Sequence, residues 1–238
     1  MLDKKYKPTT QKSLFHKDIV NHIRKWIQLI EDNYEDKKDI KQIIFLHGPI
    51  GCGKSVTVEC LFKNYNLIDI DSDSLRTSDK INDVLQQVVG FDSVTLENIE
   101  KWNHKNKRDK KNILCIDNIE LCDKGIETFV DIVHVKRNLN IPIILICNNS
   151  KYKEVFSVYK NCTFIEFKNP SLLEMSKLTT DINKIENLNL EKDMIRQLIV
   201  KSQNDIRQLF FLLEQWNASQ KAKTSFSAFQ QNGEWIKL

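Results

Sequence analysis

The chain of 238 residues has 41% hydrophobic and 29% charged side chains. That is a globular balance, able to fill one generous domain or a medium domain with a small companion. Only 6 Gly and 4 Pro argue against long flexible linkers, and no apolar run approaches the roughly 20 residues that cross a bilayer. A formal net charge of +4 is compatible with an anionic partner without demanding one.

Residues 1–12 are polar and basic, unlike a signal peptide, and read as an extended arm. Over 13–34, Leu14, Ile19, Ile23, Ile27 and Ile30 fall at helical spacing and predict a helix with one buried face. A charged loop at 35–41 leads into an apolar run, 42–48, that reads as a buried strand ending in glycine. A helix is expected directly after residue 55. Further strands are expected at 67–71, 112–117, 141–149 and 162–167, with helices over 78–100 and 125–138. The segment 101–111 holds six Lys/Arg with Trp102 and His104 and reads as a surface loop. Strands alternating with helices predict an α/β protein with a parallel five-stranded sheet between helices. After Pro170 the pattern becomes purely helical, over 171–182, 191–202 and 204–217. The expected organisation is a nucleotide-binding domain at 1–168, a small helical domain at 169–218 and a polar tail at 219–238. The six cysteines, Cys52, Cys60, Cys115, Cys122, Cys147 and Cys162, form no CxxC pair and are expected as free thiols in a reducing compartment. A soluble intracellular protein follows, with no membrane partner.

The sharpest motif is Gly48-Pro49-Ile50-Gly51-Cys52-Gly53-Lys54-Ser55, between a predicted strand and a predicted helix. Glycines let backbone N–H groups wrap phosphate oxygens without a Cβ in the way. The next helix, running on through Val56, aims its positive end at the same anion. Lys54 would reach the β- and γ-phosphates, and Ser55 would ligate Mg²⁺. This predicts binding of ATP or GTP. The apolar run Ile113–Ile116 ends in Asp117, suited to hold the metal through water. The following residue is Asn118, where many such enzymes place a Glu to polarise water; Asn accepts no proton, so slow or absent hydrolysis is expected. Glu120 lies two residues further on. Asn148, at the tip of the fourth strand, is placed to position water or sense the γ-phosphate. Arg207 is expected in the first turn of a helix capped by Asn204 or Asp205. The helix dipole disfavours a cation there unless it serves a phosphate.

These four elements in this order, with a helical segment after the sheet, resemble the core of the AAA+ class, in which a helical lid domain follows the sheet. Finer strings resemble clamp-loader subunits, most closely the large subunit of replication factor C. Tyr6-Lys7-Pro8 is similar to the family's N-terminal arm, which implies that Tyr6 and Pro8 lie near the adenine; Leu2 stands where the arm usually has tryptophan. Ile23–Ile27 resembles the helix after that arm. Pro142–Asn148 resembles the large subunit's sensor strand. Gln203–Gln208 resembles its second sensor helix, and Trp216 also matches. Lys160-Asn161-Cys162 stands where small subunits carry Ser-Arg-Cys, a departure shared with the large subunit. The resemblance implies ATP and Mg²⁺ as cofactors. It implies other clamp-loader subunits, a sliding clamp and primer-template DNA as partners, in the nucleus, or in the cytoplasm for a viral or prokaryote-like source. It covers residues 2–217, without the family's collar or N-terminal extension. The helix at 125–137, with Ile126, Phe129 and Val130, matches the family's clamp-contacting helix, and the basic loop 101–111 could meet DNA phosphates.

Two functions compete. One is an ATP-driven clamp-loading subunit. The other is a non-hydrolysing nucleotide-binding scaffold for a clamp or other AAA+ subunits. A small-molecule P-loop kinase would need an Arg-rich lid, and residues 171–200 hold only Arg196.

Overall fold

The computed structural model describes residues 2–32, 41–70, 112–121, 142–149 and 162–221. The expectations for the charged loop at 35–40, for 78–100, the basic loop 101–111, Cys122, the helix at 125–137, Lys160 and Asn161 and the tail beyond 221 lie outside the described residues.

Five strands form one parallel sheet: β1 (Ile43–His47), β2 (Asn66–Ile70), β3 (Asn112–Ile116), β4 (Ile143–Cys147) and β5 (Cys162–Glu166), in the order β2-β3-β4-β1-β5. All five residues of β1 and of β4 are buried, as expected of central strands with both faces covered. The register places Ile43 beside Ile143 and Cys162, and Ile116 beside Leu145. Gly48, Asp117 and Asn148 therefore leave the sheet at its carboxyl edge, where open α/β sheets bind ligands.

The chain divides into two compact units. One takes residues 10–49 and 54–167; the other takes 1–9, 50–53 and 168–238. Helix α1 (Leu2–Lys5) belongs to the helical unit, and in the sheet unit α2 (Lys17–Asp32) buries Val20, Ile23, Trp26, Ile27 and Ile30. Ile19 is only half-buried, and Leu14 is buried ahead of the helix. The helix starts late because His16 has a left-handed backbone, with φ 53°. The Trp26 indole N–H donates to the Lys41 carbonyl at 2.7 Å. After β1, α3 (Lys54–Leu61) packs Val56 and Cys60 with Leu14 and Val20.

In the helical unit, α4 (Leu172–Glu186), α5 (Lys192–Lys201) and α6 (Ile206–Lys221) surround one core of Met175, Ile182, Leu198, Leu209, Leu213 and Trp216 among others. Ser171 begins α4 with a reciprocal capping box to Glu174. Asn187 ends it in the left-handed conformation. The Trp216 indole N–H donates to the Leu188 carbonyl at 2.9 Å, satisfying a buried donor.

The arm departs from its extended reading. Leu2–Lys5 forms one helical turn, and Leu2 is buried in the helical core. A four-residue helix does not hold in water alone; burial of the Leu2 side chain, worth roughly 1.5–3 kcal/mol, supplies the missing stabilisation. Tyr6 completes the docking. Its hydroxyl donates to Glu186 Oε1 at 2.5 Å, and its ring lies 6.4 Å from that of Phe210.

Candidate nucleotide site

In the sheet unit, β1 delivers the chain into Gly48, whose φ is +148°. A Cβ there would run into the carbonyl of Phe167, because the Phe167 N–H donates to the His47 carbonyl at 2.7 Å and brings the two backbones together. Lys54 opens α3 and is 5% exposed. Its ammonium donates to the carbonyls of Gly48 and Pro49 at 2.9 and 2.7 Å. A buried cation thus curls over the start of the loop. The Ser55 hydroxyl donates to Asp117 Oδ2 at 2.6 Å. This bond joins residues 62 positions apart and sets two hard oxygen donors together at the end of β3, the donor chemistry that suits Mg²⁺. Asp117 Oδ1 accepts the Asn118 N–H at 2.8 Å.

Asn118 has φ 54°, a left-handed conformation that Asn tolerates better than most side chains. A short 3-10 turn, Ile119–Leu121, follows and carries Glu120 back to the tip of β4. There the Asn148 Nδ2 group donates to Glu120 Oε1 at 2.7 Å and to Asn118 Oδ1 at 2.9 Å. The Asn148 backbone N–H donates to Glu120 Oε2 at 3.4 Å. Burial alone would raise the pKa of Glu120. Hydrogen bonds from its own backbone, from Asn148 and from the Cys147 thiol outweigh burial and hold it below the ordinary carboxylate value. Burial pushes the Cys147 thiol up to about 12, and burial with nearby Asp69 and Asp117 pushes Cys115 further still. These are inert thiols. All five described cysteines are free and buried.

The tip of the loop, Ile50–Gly53, belongs to the helical unit. Gly51 has φ +73°, and a Cβ on it would collide with the Asp205 carboxylate. The Gly51 carbonyl accepts the Ile206 N–H at 3.2 Å. Asp205 is the cap of α6: its Oδ1 accepts the N–H groups of Arg207 and Gln208 at 2.8 and 3.1 Å. This settles the choice between Asn204 and Asp205. Gly53 has φ +99° with open space where its Cβ would be, the cradle that a phosphate-binding loop needs. Cys52 is buried and Ile50 exposed. Arg207 lies in the first turn of α6, is exposed, and has no side-chain partner among the described residues. Tyr6 and Pro8 are half-buried in the helical unit, with Tyr6 on Glu186 and Phe210. The Val56 side chain packs toward Leu14 and Val20, which leaves its backbone N–H as the group that could serve an anion.

The sheet unit thus brings together Lys54, Ser55, Asp117 and Asn148. Sequence reasoning missed the Asp205 carboxylate beneath Gly51 and the joint hold of Asn118 and Glu120 on Asn148. The first had no signal beyond a capping residue. The second was signalled only by an acid near the third strand's end.

A family model for the Rad17 P-loop domain matches residues 2–149. The chain belongs to the Rad17 P-loop domain family. The chain is also similar to replication factor C proteins. The chain is 24% identical to replication factor C subunit 1 of Oryza sativa over 237 residues, covering 91% of this chain and 23% of that protein. It is 24% identical to replication factor C subunit 1 of Schizosaccharomyces pombe, covering 90% and 24%. It is 23% identical to the replication factor C large subunit of Methanococcus aeolicus, covering 85% and 40%. The Rad17-family chain therefore spans about a quarter of the length of its eukaryotic relatives. Among solved structures, the Thermotoga maritima RuvB Holliday junction branch migration motor superposes with a TM-score of 0.60 at 13% identity, covering 88% of this chain and 64% of that one. That likeness supports the P-loop AAA+ fold of the sheet. No described helix is long and apolar enough to cross a membrane.

Proposed function

We propose that this chain is an ATP-binding clamp-loader subunit, like the large subunit of replication factor C, which helps load a sliding clamp on primed DNA. The observation that carries the nucleotide reading is the 2.6 Å bond from Ser55 to Asp117 beside a buried Lys54. Two oxygen ligands and a cation at a glycine loop suit a triphosphate and its metal. Similarity to replication factor C proteins over some nine-tenths of the chain directs that site to clamp loading.

In this reading Gly48, Pro49, Ile50, Gly51, Cys52 and Gly53 form the loop. Its N–H groups, with those of Lys54, Ser55 and Val56, hold phosphate oxygens. Lys54 neutralises the β- and γ-phosphates, and Ser55 and Asp117 hold Mg²⁺. Asn148 and Arg207 respond to the terminal phosphate, with residues 169–218 acting as a lid and 1–168 as the nucleotide-binding domain. Tyr6 and Pro8 line the adenine end. The metal, when bound, withdraws charge from the phosphates. With Asn118 in place of an acid, hydrolysis is slow. Partners are other clamp-loader subunits, a sliding clamp and primer-template DNA, in the nucleus, or in the cytoplasm for a viral or prokaryote-like source. A non-hydrolysing scaffold is the second reading, and Asn118 favours it.

Lys54→Ala removes the only loop cation and should abolish ATP binding measured by fluorescent-nucleotide titration; wild-type affinity in that variant would refute the site. A pull-down from the native source with ATP present should recover small clamp-loader subunits and the clamp. Recovery of neither would detach the chain from clamp loading.

A further inference from the structure

Glu120 lies outside the motif positions, yet its contacts decide which way the Asn148 amide faces. The Nδ2 group donates to Glu120 Oε1 at 2.7 Å and to Asn118 Oδ1 at 2.9 Å. A carboxylate can only accept, so amide nitrogen and oxygen cannot exchange places here. Both amide N–H bonds are thereby committed. Among the described residues the Asn148 Oδ1 atom accepts no hydrogen bond. The backbone N–H of Asn148 is also turned to Glu120, at 3.4 Å. The only side-chain atom Asn148 can offer a ligand is an acceptor.

Phosphate oxygens are acceptors too. An amide showing its nitrogen would donate to a terminal phosphate; one showing its oxygen can only take a hydrogen bond from water. We propose that Glu120 is a positioning residue that locks Asn148 as an acceptor, so that Asn148 adds nothing to the preference for a nucleoside triphosphate over a diphosphate until that lock is released. This rests on the reading of residues 48–55 as a phosphate-binding loop. Asn118 is the second half of the lock. Its side chain takes the other amide N–H from a left-handed backbone position that aims it across to the tip of β4.

The test measures ATP and ADP affinities, with Mg²⁺, for wild type, Glu120→Ala, Glu120→Gln and the double variant Glu120→Ala with Asn148→Ala. The wild-type affinity ratio is the reference, set by the other groups at the terminal phosphate. Glu120→Ala frees an amide N–H for a charged phosphate and should raise the preference for ATP about tenfold, the worth of one hydrogen bond to a charged group. The double variant should return the ratio to the wild-type value. A merely structural loss would weaken both nucleotides alike and leave the ratio unmoved. Glu120→Gln keeps the shape of the side chain and removes its charge, so it should fold even where alanine does not, and should shift the ratio in the same direction. An unchanged ratio in both Glu120 variants overturns the lock while leaving the loop's phosphate binding intact. A wild type that binds neither nucleotide overturns the loop reading and the lock with it.

Discussion

Gly51 carries two constraints at once. Its φ of +73° disfavours any L side chain, and the Asp205 carboxylate occupies the space a Cβ would need. The left-handed backbone alone costs a non-glycine residue roughly 1–2 kcal/mol. Gly51→Ala should therefore lower stability by at least that amount in chemical denaturation, and weaken nucleotide binding further because the loop must shift. Gly53, with open space around it, should tolerate alanine better in the stability measurement. Asn118 poses the opposite question. Supplying the acid that many P-loop ATPases carry here, by Asn118→Glu, would force Glu into a backbone at φ 54°. A cost of about 1 kcal/mol is expected, whereas Asn118→Gly should relieve the backbone. Equal stability of Asn118→Glu and wild type would show that the turn adapts at no cost.

Among the elements, α4 and α6 of the helical unit owe their starts to specific side chains. The Ser171 hydroxyl accepts from the Glu174 N–H at 3.3 Å, and Glu174 Oε2 accepts from the Ser171 N–H at 2.8 Å. Replacing that cap by Ser171→Ala should cost about 1 kcal/mol, read as a lower midpoint in chemical denaturation. The sequence carries the Ser-x-x-Glu spacing of a capping box here, which the helical reading of 171–182 did not use. The Asp205 cap was left open beside Asn204, because both residue types cap equally well. Only the backbone decided between them: Asn204 has φ 60°, unlike the extended backbone of a cap. The arm was misread because a four-residue helix leaves no periodicity. What makes it helical is a distant partner, the core around Met175, Leu209 and Trp216.

For the molecule as a whole, the five strands were legible because each is short, apolar and followed by a turn residue, and the boundaries moved by no more than two residues. The strand order β2-β3-β4-β1-β5 lies beyond local pattern, since it depends on which strands pair. That pairing brings Glu120 to Asn148, and with it a dependence of folding on pH. The Glu120 pKa lies below its usual value. The native state therefore binds the proton less readily than the unfolded chain. The stabilisation is present above the ordinary glutamate pKa and is lost as pH falls through the lowered folded value. Urea midpoints of wild type and Glu120→Gln should differ at neutral pH and converge in acid. A gap that persists unchanged in acid would show that the charge of Glu120 is not what the network uses.

By itself the sequence determined the phosphate loop, the acid ending the third strand, the asparagine ending the fourth and the helical character of the last third. Each is written in neighbours within a few positions, where spacing and residue type suffice. Only the tertiary structure decided that Asp205 closes against Gly51, that Leu2 anchors the arm, and that Asn118 and Glu120 turn the Asn148 amide. Those contacts join residues far apart in the chain. Their energies come from burial and from the one-way chemistry of donors and acceptors, which local sequence does not encode.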